Sequence, residues 1–168
     1  MGKFTVSHEI NCSVDTFWKL FFDRDFNVKL YKERLGFPVF TVDEQKETDA
    51  EIIRRCSGKP KMNMPGPVMK LLGDSFSYKE EGRFDKAKKT WTWKMIPSAL
   101  ADKLRQEGTM RVEAVGDNKC RRVADLINEA KIFGLGGLIE SSAEKELRKG
   151  WDESAKFFNQ WIADGKAG

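Results

Sequence analysis

The sequence of 168 residues is 40% hydrophobic and 33% charged, the balance of an ordinary soluble globular protein with one domain over residues 1–168. No apolar run approaches the roughly 20 residues of a membrane span, and the first ten residues lack a signal-peptide apolar core. The formal net charge of +4 is mild, and the densest basic stretch, residues 83 to 94 (RFDKAKKTWTWK), reads as a hairpin with a solvated lysine tip; no nucleic-acid partner is expected.

Along the chain, Phe4, Val6, His8 and Ile10 alternate with Thr5, Ser7 and Glu9, which predicts a half-buried strand. Ser13 is placed to cap a helix with the aromatic body VDTFWKLFF, and Asp15 sits favourably in its first turn. Asp25 is expected to cap a second short helix that Gly36 ends. From Pro38 the period changes to two. Strands are expected near residues 38 to 46, 49 to 57, 75 to 84, 88 to 97, 107 to 116 and 119 to 133. The segments KETD, DKAK and GDNK read as hairpin turns between them. A long helix over residues 138 to 163 closes the chain, with Ile139, Ala143, Leu147, Trp151, Ala155, Phe158 and Ile162 forming one apolar stripe. A helix of that length after a run of antiparallel strands must lie across the sheet to hide its stripe.

Between the last strand and that helix stands AKIFGLGGLIE, residues 130 to 140. Glycines between a strand and a helix can seat a phosphate, but that needs G-x-x-x-x-G-K-[ST], or G-x-G-x-x-G inside a parallel unit. Gly134, Gly136 and Gly137 instead follow an antiparallel strand, with no Lys-Ser or Lys-Thr after them. They read as a sharp corner that lets the helix sit close to the sheet.

The order of strand, two short helices, six strands and long helix resembles the helix-grip fold of the START-related (SRPBCC) superfamily. Lipid-transfer domains, the birch-pollen-allergen group and polyketide cyclases belong to it. The resemblance covers residues 3 to 163. KIFGLGGLIE is similar to the strand-to-helix corner of bacterial START-like proteins of unknown function, which also carry an insert resembling MPGPVMKLLGD here. The resemblance implies an α+β fold, with a curved antiparallel sheet of about seven strands gripping the helix. It also implies a cavity between sheet and helix.

Inward-facing residues then matter most. His8 shares a face with Phe4, and Phe76, Tyr78, Glu80 and Phe84 share one on the next relevant strand. Trp91, Trp93 and Met95 follow, then Leu126, Asn128, Ala130 and Ile132. This is an apolar and aromatic lining with few polar groups, the usual make-up of a small-molecule site. Each residue also has a plainer reading: His8 as a satisfied core residue, Glu80 at a solvated strand end, the tryptophans as packing. Residues 58 to 74 gather Met62, Met64, Val68, Met69, Leu71 and Leu72 among three prolines. Met side chains suit variable apolar partners. Flanking Lys59, Lys61 and Lys70 suit transient contact with an anionic membrane surface. The segment is either a lid at the cavity mouth or a short helix packed on the sheet edge.

Three widely spaced cysteines without C-x-x-C argue for reduced thiols in a cytoplasmic protein, and against zinc. A single histidine removes His-based triads and His metal clusters. No metal or cofactor is expected. Three functions remain. The first is binding or transfer of a hydrophobic ligand (lipid, sterol, isoprenoid or polyketide). The second is a cyclase or dehydratase using His8 and Glu80 for acid–base work with Tyr78 as donor. The third is a protein-interaction module. The sparse, scattered polar groups favour the first.

Overall fold

Period-two patterning builds one antiparallel sheet in the computed structural model, which describes residues 2 to 167. Its strands are β1 (Gly2–Ile10), β2 (Val39–Glu47), β3 (Glu51–Lys59), β4 (Tyr78–Asp85), β5 (Thr90–Pro97), β6 (Leu104–Gly116) and β7 (Lys119–Ala130). They lie in the order β1-β7-β6-β5-β4-β3-β2, so each hairpin pairs neighbours and the first strand joins the last. Asp117 and Asn118 form the tight turn in which Gly116 faces Lys119, where the GDNK signal placed it.

The helices are α1 (Val14–Phe21), α2 (Arg24–Lys29), α3 (Gly66–Leu72) and α4 (Gly136–Ala163). Ser13 caps α1 by accepting from the Thr16 amide at 3.2 Å. Asp23, not Asp25, caps α2, accepting from the Phe26 amide at 2.7 Å; Asp25 occupies the first turn instead. A π-type turn over Leu30–Arg34 extends α2, and Gly36 at φ 73° ends it in a conformation glycine adopts without strain. Helix α4 has 28 residues, about 42 Å at 1.5 Å each.

Three clusters make up the interior. The main core joins β1, β7, α1, α2 and the second half of α4 around Phe17, Phe26, Trp91, Phe158 and Trp161. A second, under α3, holds Val68, Leu72, Phe76, Ala130 and Ile139. A third lies at the other edge, where Tyr31 stacks on Phe40 with centroids 4.0 Å apart. The α+β helix-grip class expected from the element order is the fold observed. Helix α4 lies against β1, β7 and the π-type turn, while α2 and that turn reach β2. Three strand ends differ from expectation by three residues: β7 stops at Ala130, β4 begins at Tyr78 and β6 begins earlier, at Leu104. Ile132 and Phe76 therefore stand outside the sheet and pack beneath α3.

Candidate functional site

Alternation along β3 turns Ile52, Arg54, Cys56 and Gly58 inward. The same rule on β4 turns Tyr78, Glu80, Gly82 and Phe84 inward, with Cys56 opposite Glu80 and Gly58 opposite Tyr78. Gly58 is needed there, because a Cβ would come within 3.0 Å of the Tyr78 hydroxyl. The π-type turn brings Tyr31 over the same surface, and the end of α1 brings Phe21 and Phe22. Arg54, Cys56, Tyr31, Tyr78 and Glu80 thus meet between the main core and the β2 edge.

Arg54 is 4% exposed. Its Nη1 donates to the Phe21 carbonyl at 2.6 Å, which ties β3 to the C-terminal end of α1, where a cation is favoured. Its guanidinium carbon lies 4.4 Å from the Phe21 ring, 4.9 Å from Trp91 and 5.6 Å from Phe22. These rings stabilise the charge without accepting its N–H groups in line. Nε is occluded without a partner. Among the described residues no carboxylate lies within ion-pair distance of Arg54.

Tyr31, Tyr78 and Glu80 are enclosed by protein, yet each keeps part of its surface accessible. None of their side-chain oxygens has a hydrogen-bond partner among the described residues, and none is among the fully occluded unpartnered atoms. Burial pushes the Glu80 carboxyl above its ordinary range, opposed in part by the Arg54 charge. Burial likewise pushes both tyrosines upward and the Cys56 thiol up to about 12. The group therefore offers two neutral hydroxyls, and a carboxyl that holds its proton to higher pH than a solvated one, beside one permanent cation.

His8 lies elsewhere. On β1, it faces Arg122 of β7 and the middle of α4. Arg122, 3% exposed, donates from Nη1 to Ser154 Oγ at 2.8 Å and from Nη2 to the Trp151 carbonyl at 2.9 Å. The same Nη2 lies 3.2 Å from His8 Nδ1, and His8 Nε2 lies 2.6 Å from Asp152 Oδ1. A guanidinium only donates, so Nδ1 accepts and Nε2 carries the proton given to Asp152. Burial holds the His8 pKa below its ordinary value; the Asp152 bond opposes this and the Arg122 charge reinforces it. Burial also lowers the Arg122 pKa to about 9.

Of the residues singled out from the sequence, Tyr78 and Glu80 come together, with Met95 opposite Glu80 on β5 and Trp91 against Arg54. Trp91 is packed, its ring lying over Gly82, where a Cβ would fall 1.9 Å from it. Trp93 faces Trp151 at 5.8 Å. Leu126 belongs to the main core. Asn128 donates to the Glu140 carbonyl at 2.9 Å and anchors the start of α4. Met62, Met64, Phe76 and Ile132 form the packing under α3, and Met69 on α3 is part-buried. Residues 58 to 74 thus contain a short helix, whose Val68 and Leu72 pack with Ala130 at the end of β7 and Ile139 near the start of α4. Arg54, Arg122, Tyr31 and Cys56 were not singled out from sequence; the alternation Ile52-Arg54-Cys56 and Ala124-Arg122-Cys120 carried the signal.

An open groove of about 850 Å³ lies on the opposite face of the sheet, walled by Lys3, Thr5, Arg55, Arg83, Thr92 and Lys94 among others. These are outward members of the same alternations, and several pair with carboxylates, as Arg83 does with the part-buried Glu51. That surface is a solvated charge lattice. No group of three or more potential metal ligands, and no helix long and apolar enough to cross a membrane, occurs among the described residues.

An all-antiparallel sheet holding a long C-terminal helix, with polar groups set between them, defines a helix-grip fold. Over residues 5 to 162 the sequence matches the family described as Protein of unknown function (DUF2505), and the chain belongs to that family. No curated protein sequence matches it. Its fold is similar to that of TTHA0849 from Thermus thermophilus, with a TM-score of 0.66, 18% identity, and 97% of this chain and 98% of that one covered. It is also similar to the Zhui aromatase/cyclase from Streptomyces sp. R1128, with a TM-score of 0.62, 12% identity, and 98% and 92% coverage. A START superfamily protein from Mycobacterium smegmatis gives 0.58, 13%, and 96% and 97%. At these identities the likeness is one of fold.

Proposed function

We propose that the protein binds or carries a hydrophobic small molecule between the inner face of β3 to β5, the aromatic end of α1 and the flank of α4. One observation carries this reading. The oxygens of Tyr31, Tyr78 and Glu80 lie deep in the molecule, yet stay accessible and form no hydrogen bond among the described residues. In a packed core each unmade bond would cost about 1 to 3 kcal/mol; facing a space, each is available to a ligand or to water. Phe21, Phe22, Trp93 and Met95 supply the apolar wall beside them. The names of proteins with similar folds, a START superfamily protein and an aromatase/cyclase, fit ligand binding in general without pointing to a ligand.

Entry would pass the α3 segment. Among the described residues it is held by apolar packing and a long 3.4 Å contact from Asn63 to Glu146, and α3 lacks a side-chain cap. Lys61, Lys70 and the exposed Leu71 and Phe133 suit brief contact with an anionic bilayer during loading. Native mass spectrometry of gently purified protein tests the proposal. A co-purifying lipid-sized mass, weakened when Met62, Met64 and Met69 become Ser, is expected. Apo protein that takes up none of a broad panel of lipids, sterols and aromatic polyketides would refute it and move an interaction module ahead.

The cyclase reading rests on Glu80 and Tyr78 alone. His8 is committed to Arg122 and Asp152 in a different seam, so it supplies no second catalytic group beside them.

A further inference from the structure

Arg54 has more donors than the protein uses. A guanidinium presents five N–H groups; one nitrogen serves the Phe21 carbonyl, and Nε is sealed without a partner. Nη2 has no hydrogen-bond partner among the described residues, yet it is not among the sealed atoms. A buried cation left this way carries a desolvation cost that an anion in contact would offset. Glu80, on whose carboxyl the Arg54 charge acts, forms no ion pair with it among the described residues. Arg122 adds a second positive charge acting on the same interior, with its own terminal nitrogens already bound to Ser154, Trp151 and His8.

We infer that the ligand is an apolar monocarboxylate whose head group lies against Arg54 Nη2, among the Tyr31 and Tyr78 hydroxyls and the Glu80 carboxyl. This rests on the reading of that region as a ligand space. A carboxylate matches the guanidinium edge and accepts two or three donors in a plane. Both tyrosine hydroxyls can donate to it, and Glu80 can as well in the protonated form that burial favours. A phosphate dianion fits less well, because the single unsealed, unpartnered nitrogen of Arg54 offsets only one of its two charges. The aromatic box of Phe21, Phe22 and Trp91 around Arg54 directs the apolar body away from solvent.

Matched probes test this with the full-length protein, stripped of bound lipid by hydrophobic resin and followed by tryptophan fluorescence and calorimetry. Dodecanoic acid, dodecan-1-ol and dodecyl phosphate share one chain and differ in the head. The acid is expected to bind at least about tenfold tighter than the alcohol, and tighter than the phosphate. Arg54→Met should bring the acid down to the level of the alcohol while leaving the alcohol unchanged. Arg54→Lys, which keeps the charge, should retain part of the preference. Should Arg54→Met fail to fold through loss of its bond to α1, the wild-type ranking decides. Equal binding of acid and alcohol, or a preference for the phosphate, overturns the carboxylate assignment while leaving the ligand space standing. Binding of none of the three, nor of a wider ligand panel, removes the ligand space itself.

Discussion

Acidification should loosen the seam between β1 and α4 through a single proton. His8 is neutral in the folded protein, with Nδ1 accepting from Arg122 and Nε2 bound to Asp152. Its folded pKa lies below the ordinary value of 6.5, mainly through burial. A depressed folded pKa contributes stability that is present above the unfolded value and lost as pH falls through the folded one. One proton taken up by the unfolded chain alone costs at most about 1.4 kcal/mol per pH unit. From pH 7.5 to 5.5 the loss is thus bounded near 1.4 kcal/mol, a melting shift of about 3 to 5 °C for a domain of this size. The carboxylates held low by their partners, Asp43, Glu107 and Glu153, titrate below this window. Glu80 acts with the opposite sign: its raised folded pKa makes the protein gain stability as pH falls. The clean measurement is therefore a difference. Thermal melts followed by circular dichroism at pH 7.5 and 5.5 should show wild type losing up to about 3 to 5 °C more than His8→Gln. Equal losses in the two proteins would refute the assignment. A wild type that gains relative to His8→Gln would mean that His8 is a charged partner of Asp152.

Three further outcomes are expected. Arg122→Met should change stability by only about 1 kcal/mol, because Ser154 still donates to the Trp151 carbonyl and a costly buried charge is lost; the His8 pKa should rise, readable by proton NMR on the only histidine. A loss above about 4 kcal/mol would show the seam to be cooperative beyond its bonds. Glu80→Gln should stabilise the protein at pH 8 and leave it unchanged at pH 4, where the native carboxyl is already neutral, as urea titrations at the two pH values would report; a gain at neither would place Glu80 in contact with water throughout. Gly82→Ala should cost about 3 kcal/mol or abolish folding, since the new Cβ would sit 1.9 Å from the Trp91 ring, and wild-type denaturant stability in that variant would contradict the packing.

Strand alternation and the stripe of α4 were legible in the sequence because each is a local period. The ends of β4 and β7 were not, because Phe76 and Ile132 continue the period while tertiary packing under α3 takes them out of the sheet. The two buried arginines show the limit most clearly. Each stands in an adjacent pair, Arg54 beside Arg55 and Arg122 beside Arg121, and alternation alone sends one member of each pair inward. A charge on an inner face is implausible until its partners are known, and those are 33 positions away for Arg54 and 32 and 29 for Arg122. Likewise the face of His8 follows from Phe4 and Val6, but its commitment to Asp152, 144 positions on, decides that it does not work beside Glu80.

The pairing of the first strand with the last has a consequence for biosynthesis. Ile10 cannot meet Cys120, nor Gly2 meet Asn128, until nearly the whole sheet has been made. At about 5 to 20 residues per second, a delay of roughly 110 residues leaves β1 without its ladder for some 5 to 22 s. During that time Phe4, Val6 and Ile10 form an open edge able to pair with other nascent chains. Productive folding of this chain therefore depends on its crowding on polysomes, and slower translation would raise the yield of aggregates even though the finished protein is unchanged.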